Sequence, residues 1–176
     1  MNKKTLNEYI NREVYEDYRN SKKRLNLFDK IWCRYYNPSL NAVYLIRKKQ
    51  YLESKGKLGL LISKIYYLKL IRRYNIHINR FAKIEIGLRI IHPSCITVAQ
   101  CEIGKNFTIY QQCTVGAKSR SCIDTPQIGD NVIMYCGSSI IGNCKVHDNV
   151  AIGANSLLLT DAEEPGIYVG SPATKK

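Results

Sequence analysis

IGDNVI, MYCGSS, IIGNCK, VHDNVA, IGANSL: set in sixes, residues 128 to 157 put Ile128, Met134, Ile140, Val146 and Ile152 in one column, and Leu158 continues it. A period of six is neither the 3.6 of an α-helix nor the simple alternation of a lone strand. It is the period of a parallel β-helix, whose coils turn one aliphatic side chain per side onto the coil below. Upstream, IGKNFT, IYQQCT and VGAKSR add Ile103, Ile109 and Val115 to the column. Ile84, Ile90 and Ile96 are again six apart, with one extra residue before Ile103. The fifth place of the hexad holds Val132, Ser138, Cys144, Val150, Ser156 and, earlier, Cys113, all small or β-branched, as an inward position beside a tight corner requires. The cysteines are therefore expected to be reduced, buried filler. Glycine in the second place (Gly104, Gly116, Gly129, Gly153) is expected to serve the turn.

Residues 117–127, AKSRSCIDTPQ, interrupt the period and leave it in phase on both sides. Such an insertion projects as a loop, and repeat proteins place binding residues on loops of this kind.

The half of the chain before the repeats differs in kind. Residues 1 to 80 carry 19 Lys and Arg against 6 Asp and Glu, while residues 81 to 176 carry 8 against 8, so the whole net charge of +13 belongs to the N-terminal half. In LGLLISKIYYLKLIRRY, residues 58 to 74, Leu61, Ile65 and Leu68 recur at helical spacing with lysines among them, and NPSL at 37 to 40 reads as a helix start. The tyrosines there, among them Tyr35, Tyr44, Tyr66 and Tyr74, are expected as half-buried packing residues. No nucleic-acid motif accompanies the basic residues, so a nucleic-acid partner is not expected.

No apolar run approaches the roughly 20 residues of a membrane span, and the first residues lack the apolar stretch of a secretory leader. Seven cysteines with no CxxC pair suggest neither a disulfide framework nor a zinc site. Together these features lead us to expect a cytoplasmic protein. Of the three histidines, His147 reads as surface, and His77, His92 and His147 are too far apart in sequence for a metal centre, so no metal is expected.

KIEIGLRIIHP at 83 to 93, IGKNFTIYQQCTVG at 103 to 116, IDTPQIGDNV at 123 to 132, IIGNCKVHDNVAIGANSLL at 140 to 158 and YVGSPA at 168 to 173 resemble the hexapeptide-repeat acyltransferases. Within that group they are similar to the serine acetyltransferases and the related O-acetyltransferases of surface-polysaccharide synthesis. The resemblance runs over roughly residues 37 to 174. It implies a mainly β fold, a left-handed parallel β-helix with an α-helical N-terminal region, divided as 1–80, 81–170 and a C-terminal turn and tail at 171–176. It further implies a homotrimer with active sites between neighbouring subunits, and acetyl-CoA as co-substrate.

His92 matches the family's catalytic histidine. An acceptor hydroxyl is a poor nucleophile until a base takes its proton, and an imidazole titrating near neutrality suits that task. The resemblance implies a path for acetyl-CoA along Gly116, Ala117, Gly137, Gly153, Ala154, Ser171, Pro172 and Lys175. It also sets Tyr110, Gln111, Asp124 and Thr125 toward the acceptor. Three departures bear on that acceptor. The serine enzymes carry an aspartate immediately before the catalytic histidine, where this chain has Ile91. Their Arg-His pair before a proline is replaced by Asp124 and Thr125 ahead of Pro126. His77 stands where an aspartate that orients the histidine is expected. An anion in place of a carboxylate-binding cation removes a bidentate contact. On that ground the expected acceptor is a sugar hydroxyl in surface polysaccharide synthesis, with serine O-acetylation and a non-catalytic trimeric scaffold as alternatives. The basic half is then a trimer cap and a candidate dock for a membrane surface or lipid-linked substrate.

Overall fold

The computed structural model describes residues 1–16, 26–118 and 125–176. It divides into two compact units, Met1–Asn75 and Ile76–Lys176.

The first unit is helical. Helix α1 (Lys3–Ile10) runs into a π-helical turn, Asn11–Glu16, and α2 (Leu27–Tyr35), α3 (Pro38–Glu53) and α4 (Gly56–Tyr74) follow. Asparagines begin three of the helices. Asn2, Asn26 and Asn37 each accept a backbone N–H of the first turn, and Asp29 returns the bond to Asn26 as a capping box. Pro38 takes the first helical position, as NPSL predicted. Asn75 ends α4 in the left-handed conformation, φ 51°.

The core of this unit is sealed by a buried ion pair. Arg47 of α3 donates from Nε and Nη2 to the Glu13 carboxylate at 2.7 and 2.6 Å, and packs its guanidinium over the Tyr9 ring. The apolar spacing in α4 does mark a helix, but the stripe that carries it faces away from this core. Gly59, Ser63, Leu70 and Tyr74 are the buried residues, while Leu61, Ile65 and Leu68 stand exposed. Among the tyrosines, Tyr44 and Tyr74 are buried and Tyr35 and Tyr36 exposed. No helix among the described residues is long and apolar enough to cross a membrane.

The second unit is the parallel β-helix. Its first coil holds β1 (Ile76–Ile78), β2 (Lys83–Ile84) and β3 (Arg89–Ile90), and its second β4 (Ile96–Val98), β5 (Glu102–Ile103) and β6 (Thr108–Ile109). Then come β7 (Thr114–Gly116), β8 (Gln127–Ile128) and β9 (Ile133–Met134), followed by β10 (Ser139–Ile141), β11 (Lys145–Val146) and β12 (Val150–Ile152). The fifth coil has β13 (Leu157–Leu158), a bridge at Ala162 and β14 (Gly166–Gly170), onto which β15 (Ala173–Lys175) folds back antiparallel. Equivalent strands of successive coils stack as three parallel sheets, β1-β4-β7-β10-β13, β2-β5-β8-β11 and β3-β6-β9-β12-β14. Since β1 opens the first coil, His77 lies on the solenoid rather than ahead of it.

Every aliphatic residue of the predicted column is buried, and so are Cys113, Val132, Ser138, Cys144, Val150 and Ser156 at the fifth place. Burial pushes the Cys113 and Cys144 thiols up, and that of Cys101 to about 12, which suits filler and not nucleophiles. One member of the column is in a different register. Ile96 pairs with Ile76, and Val98 is the residue that pairs with both Ile78 and Val115. Two residues are therefore added between Ile90 and the column position at Val98, and one is dropped before Ile103.

The second-place glycines also have a different cause from the one expected. A Cβ on Gly104 would stand 2.3 Å from Asp130 Oδ1, and one on Gly129 at 2.3 Å from Asp148 Oδ1. These aspartates accept backbone N–H groups of the neighbouring coil, from Lys105 and Asp130. Gly104 and Gly129 thus make room for a carboxylate. The left-handed turn positions belong largely to asparagine: Asn106, Asn131 and Asn149 have φ of 57°, 58° and 61°, and their amides bond one to the next along one edge.

Candidate active site

The two added residues fall among His92, Pro93 and Ser94. Ile91 donates its N–H to Ile109 O, which sets it opposite Tyr110, and Gln112 donates to Ser94 O, which sets it opposite Cys95. Between these rungs one coil spends His92, Pro93 and Ser94 where the next spends Gln111 alone. The surplus bulges outward. His92 takes φ 53°, a conformation costly for a residue with a Cβ, and its side chain is exposed. Pro93 behind it restricts the backbone further.

The same edge continues down the solenoid. After Tyr110 and Gln111 come Tyr135, Cys136 and Gly137, then Gly153, Ala154 and Asn155, then Val169 to Pro172. Left-handed residues turn the chain at each level: Cys95 at φ 54°, Gln112 at 61°, Gly137 at 70° and Asn155 at 56°. Four inter-strand steps separate the His92 level from the Ser171 level, about 19 Å at the usual spacing. Tyr110 and Tyr135 are neighbours along this edge, their ring centroids 5.3 Å apart.

Of the residues singled out in the sequence, His92, Tyr110, Gln111, Gly137, Gly153, Ala154, Ser171 and Pro172 therefore share one edge. Gly116, Ala117 and Thr125 do not. Gly116 ends β7 and Thr125 precedes β8, so they sit at the next corner, one face of the prism away. Asp124 lies outside the described residues. Lys175 is on β15 and is held by the Glu164 carboxylate, whose hydrogen bond keeps the ammonium above its ordinary pKa. His147 is on the surface, its Nδ1 3.0 Å from Asp148 O. Nothing in the sequence marks Ser94, Cys95, Tyr135, Cys136 and Asn155 as neighbours of His92, because their residue types are unremarkable and only the coil register brings them there.

The family described as "Bacterial transferase hexapeptide (six repeats)" matches residues 125–160. A serine acetyltransferase of Staphylococcus aureus is 37% identical over 139 residues, 76% of this chain and 62% of that protein. One of Staphylococcus epidermidis is 41% identical over 99 residues, 55% of this chain and 46% of that protein. The chain is a hexapeptide-repeat protein similar to the serine acetyltransferases. This hexapeptide-repeat chain spans about three-fifths of the length of the Staphylococcus aureus relative it matches. Its fold is also that of the crystal structure of the Neisseria gonorrhoeae serine acetyltransferase, with a TM-score of 0.82, 20% identity and coverage of 98% of this chain and 65% of that one. A serine acetyltransferase solved in complex with CoA gives a TM-score of 0.77 at 19% identity, covering 99% of this chain and 71% of that one.

Proposed function

We propose that the chain is an acetyl-CoA-dependent O-acetyltransferase that acts on a small hydroxylated acceptor, with His92 as general base. The observation that carries this reading is the bulge. A histidine held outside the stacking register, in a strained backbone conformation on an exposed edge, serves no packing role, and strain of this kind gathers at working sites. In the reaction the imidazole takes the acceptor's hydroxyl proton as the oxygen attacks the thioester carbonyl. The tetrahedral intermediate then collapses, the C–S bond breaks and CoA leaves as the thiol, protonated by the imidazolium.

The acceptor we favour is L-serine. The sequence alone put a sugar hydroxyl first, and the relatives reverse that order, since those reported above carry the name serine acetyltransferase. Nothing in the fold favours a polysaccharide. The departures at Ile91, His77 and Thr125 mean that serine's ammonium and carboxylate are met by other groups than in the family.

For the donor, Gly137, Gly153, Ala154, Ser171 and Pro172 line up on the His92 edge and are the residues we assign to the pantetheine arm. The position of Gly116, Ala117 and Thr125 one corner away fits a homotrimer in which an adjoining copy brings that corner to the His92 edge. Lys175, already tied to Glu164, is the weakest of the donor assignments. A membrane or lipid-linked role for the basic half has no support in the relatives.

The test is acetyl-CoA consumption, read as free thiol, with L-serine beside a panel of sugars and nucleotide sugars. Thiol release with serine is expected, falling by roughly two to four orders of magnitude in His92→Ala. Near-normal turnover in the variant overturns the assignment, and turnover confined to sugars restores the other acceptor.

A further inference from the structure

Gln111 Oε1 is a buried side-chain oxygen with no hydrogen-bond partner among the described residues. Buried polar atoms are satisfied as a rule, so an orphan acceptor calls for a donor nearby that can turn to reach it. Its place in the fold says which donor. Gln111 is the one residue that the neighbouring coil sets against His92, Pro93 and Ser94, so its side chain lies at the level of the bulge. Its backbone is fixed there, since Gln111 O accepts the Gly137 N–H at 3.0 Å.

We infer that Gln111 is a positioning residue for His92, its side-chain oxygen accepting the imidazole N–H that the base does not use. The inference rests on the proposed role of His92. A neutral imidazole has one N–H and one bare nitrogen, and a general base needs the bare nitrogen turned to the substrate. An acceptor on the opposite nitrogen selects that tautomer and fixes the ring. Outer partners of working histidines commonly do this with a carboxylate. On this edge the other titratable side chains among the described residues are Cys95, Tyr110, Tyr135 and Cys136, none of them a carboxylate. An amide oxygen provides the same acceptor without a charge. Gln111 then acts through the base, whereas the sequence reading set it toward the acceptor.

The experiment uses the full chain in three forms: wild type, Gln111→Leu and Gln111→Glu. With only three histidines, long-range ¹H–¹⁵N spectra of histidine-labelled protein report the His92 tautomer, its signals assigned by their loss in His92→Ala. One dominant neutral tautomer is expected in wild type and in Gln111→Glu, and a mixture in Gln111→Leu. With acetyl-CoA and L-serine, Gln111→Leu is expected to lower kcat by roughly 10- to 100-fold with both KM values within about twofold. Gln111→Glu recovers most of that rate. Its added carboxylate favours the imidazolium, so the rising limb of kcat/KM moves to higher pH. A His92 tautomer unchanged in Gln111→Leu overturns the proposal, and so does a loss confined to the KM for serine. If wild type turns over no acceptor, the functional reading fails, and the tautomer spectra alone decide the role of Gln111.

Discussion

Replacing Glu13 by alanine is expected to unfold the helical unit well before the solenoid. The Glu13 and Arg47 side chains are 0% and 1% exposed, and the guanidinium makes two bonds to the carboxylate, one to Gln50 at 2.9 Å and a contact with the Tyr9 ring. Truncation removes the carboxylate that faces this guanidinium in the core. Breaking a buried pair in this way costs about 3–5 kcal/mol. A unit of this size has a total stability of roughly 4–11 kcal/mol, so about a quarter or more of it goes. Urea unfolding followed by fluorescence isolates the effect, because the single tryptophan, Trp32, lies on α2 in the same unit, stacked on Tyr36. The midpoint should fall by at least about 1 M. Removing both charges in Glu13→Met/Arg47→Met should bring it back to within about 2 kcal/mol of wild type, since hydrophobic replacement of a whole buried pair is well tolerated. A midpoint shift below about 0.3 M in Glu13→Ala would show that the pair is not sealed from water and refute the reasoning.

Gly129→Ala should lower stability by about 1–3 kcal/mol in a thermal melt, because the new methyl meets Asp148 Oδ1 at 2.3 Å and Asp148 N at 2.8 Å, and backbone cannot step aside. Deleting His92 and Pro93 together should leave a folded solenoid with unchanged circular dichroism and acetyl transfer as low as in His92→Ala; a chain that fails to fold would mean that the bulge is structural. The raised Cys101 pKa predicts alkaline sensitivity. Above the ordinary thiol pKa near 9 the unfolded chain loses this proton while the folded chain keeps it up to about 12. Stability therefore falls by up to about 1.4 kcal/mol per pH unit across that window, and Cys101→Ala should flatten the fall in urea titrations.

The solenoid was legible in the sequence because its stacking imposes one aliphatic residue per six, and a count finds that without knowing where the corners are. The same count failed at Ile96. An addition of two within His92 to Ser94 and a loss of one before Ile103 sum to a single extra residue, and periodicity registers only the sum. It took the hydrogen-bond register to show that the candidate base is itself the irregularity. Helix α4 illustrates a different limit. Spacing located the apolar stripe of Leu61, Ile65 and Leu68, but spacing does not say which face a neighbour covers, and the core takes Leu70 and Tyr74 instead. Gly104 and Gly129 were read as turn residues because glycine usually is one. Their actual constraint is a carboxylate from the next coil, a contact across 25 residues in one case and 18 in the other if counted to the N–H each aspartate caps. Gln111 was chosen for its polarity near the histidine, and only burial of its oxygen distinguishes holding a base from binding an acceptor.

The reversal at β15 has a consequence for how such a chain behaves in a crowd. A stack of parallel coils ends in unpaired strand edges, and an edge is a template on which another strand can be laid down, coil upon coil, into a fibre. On the sheet that carries β14, that edge is taken by a strand of opposite direction, from Ala173 to Lys175, with Lys175 leaning on Glu164. An incoming coil would meet an antiparallel strand where it needs a parallel one. Removal of residues 173–176 is therefore expected to expose the β14 edge and raise the tendency to self-associate, read by light scattering.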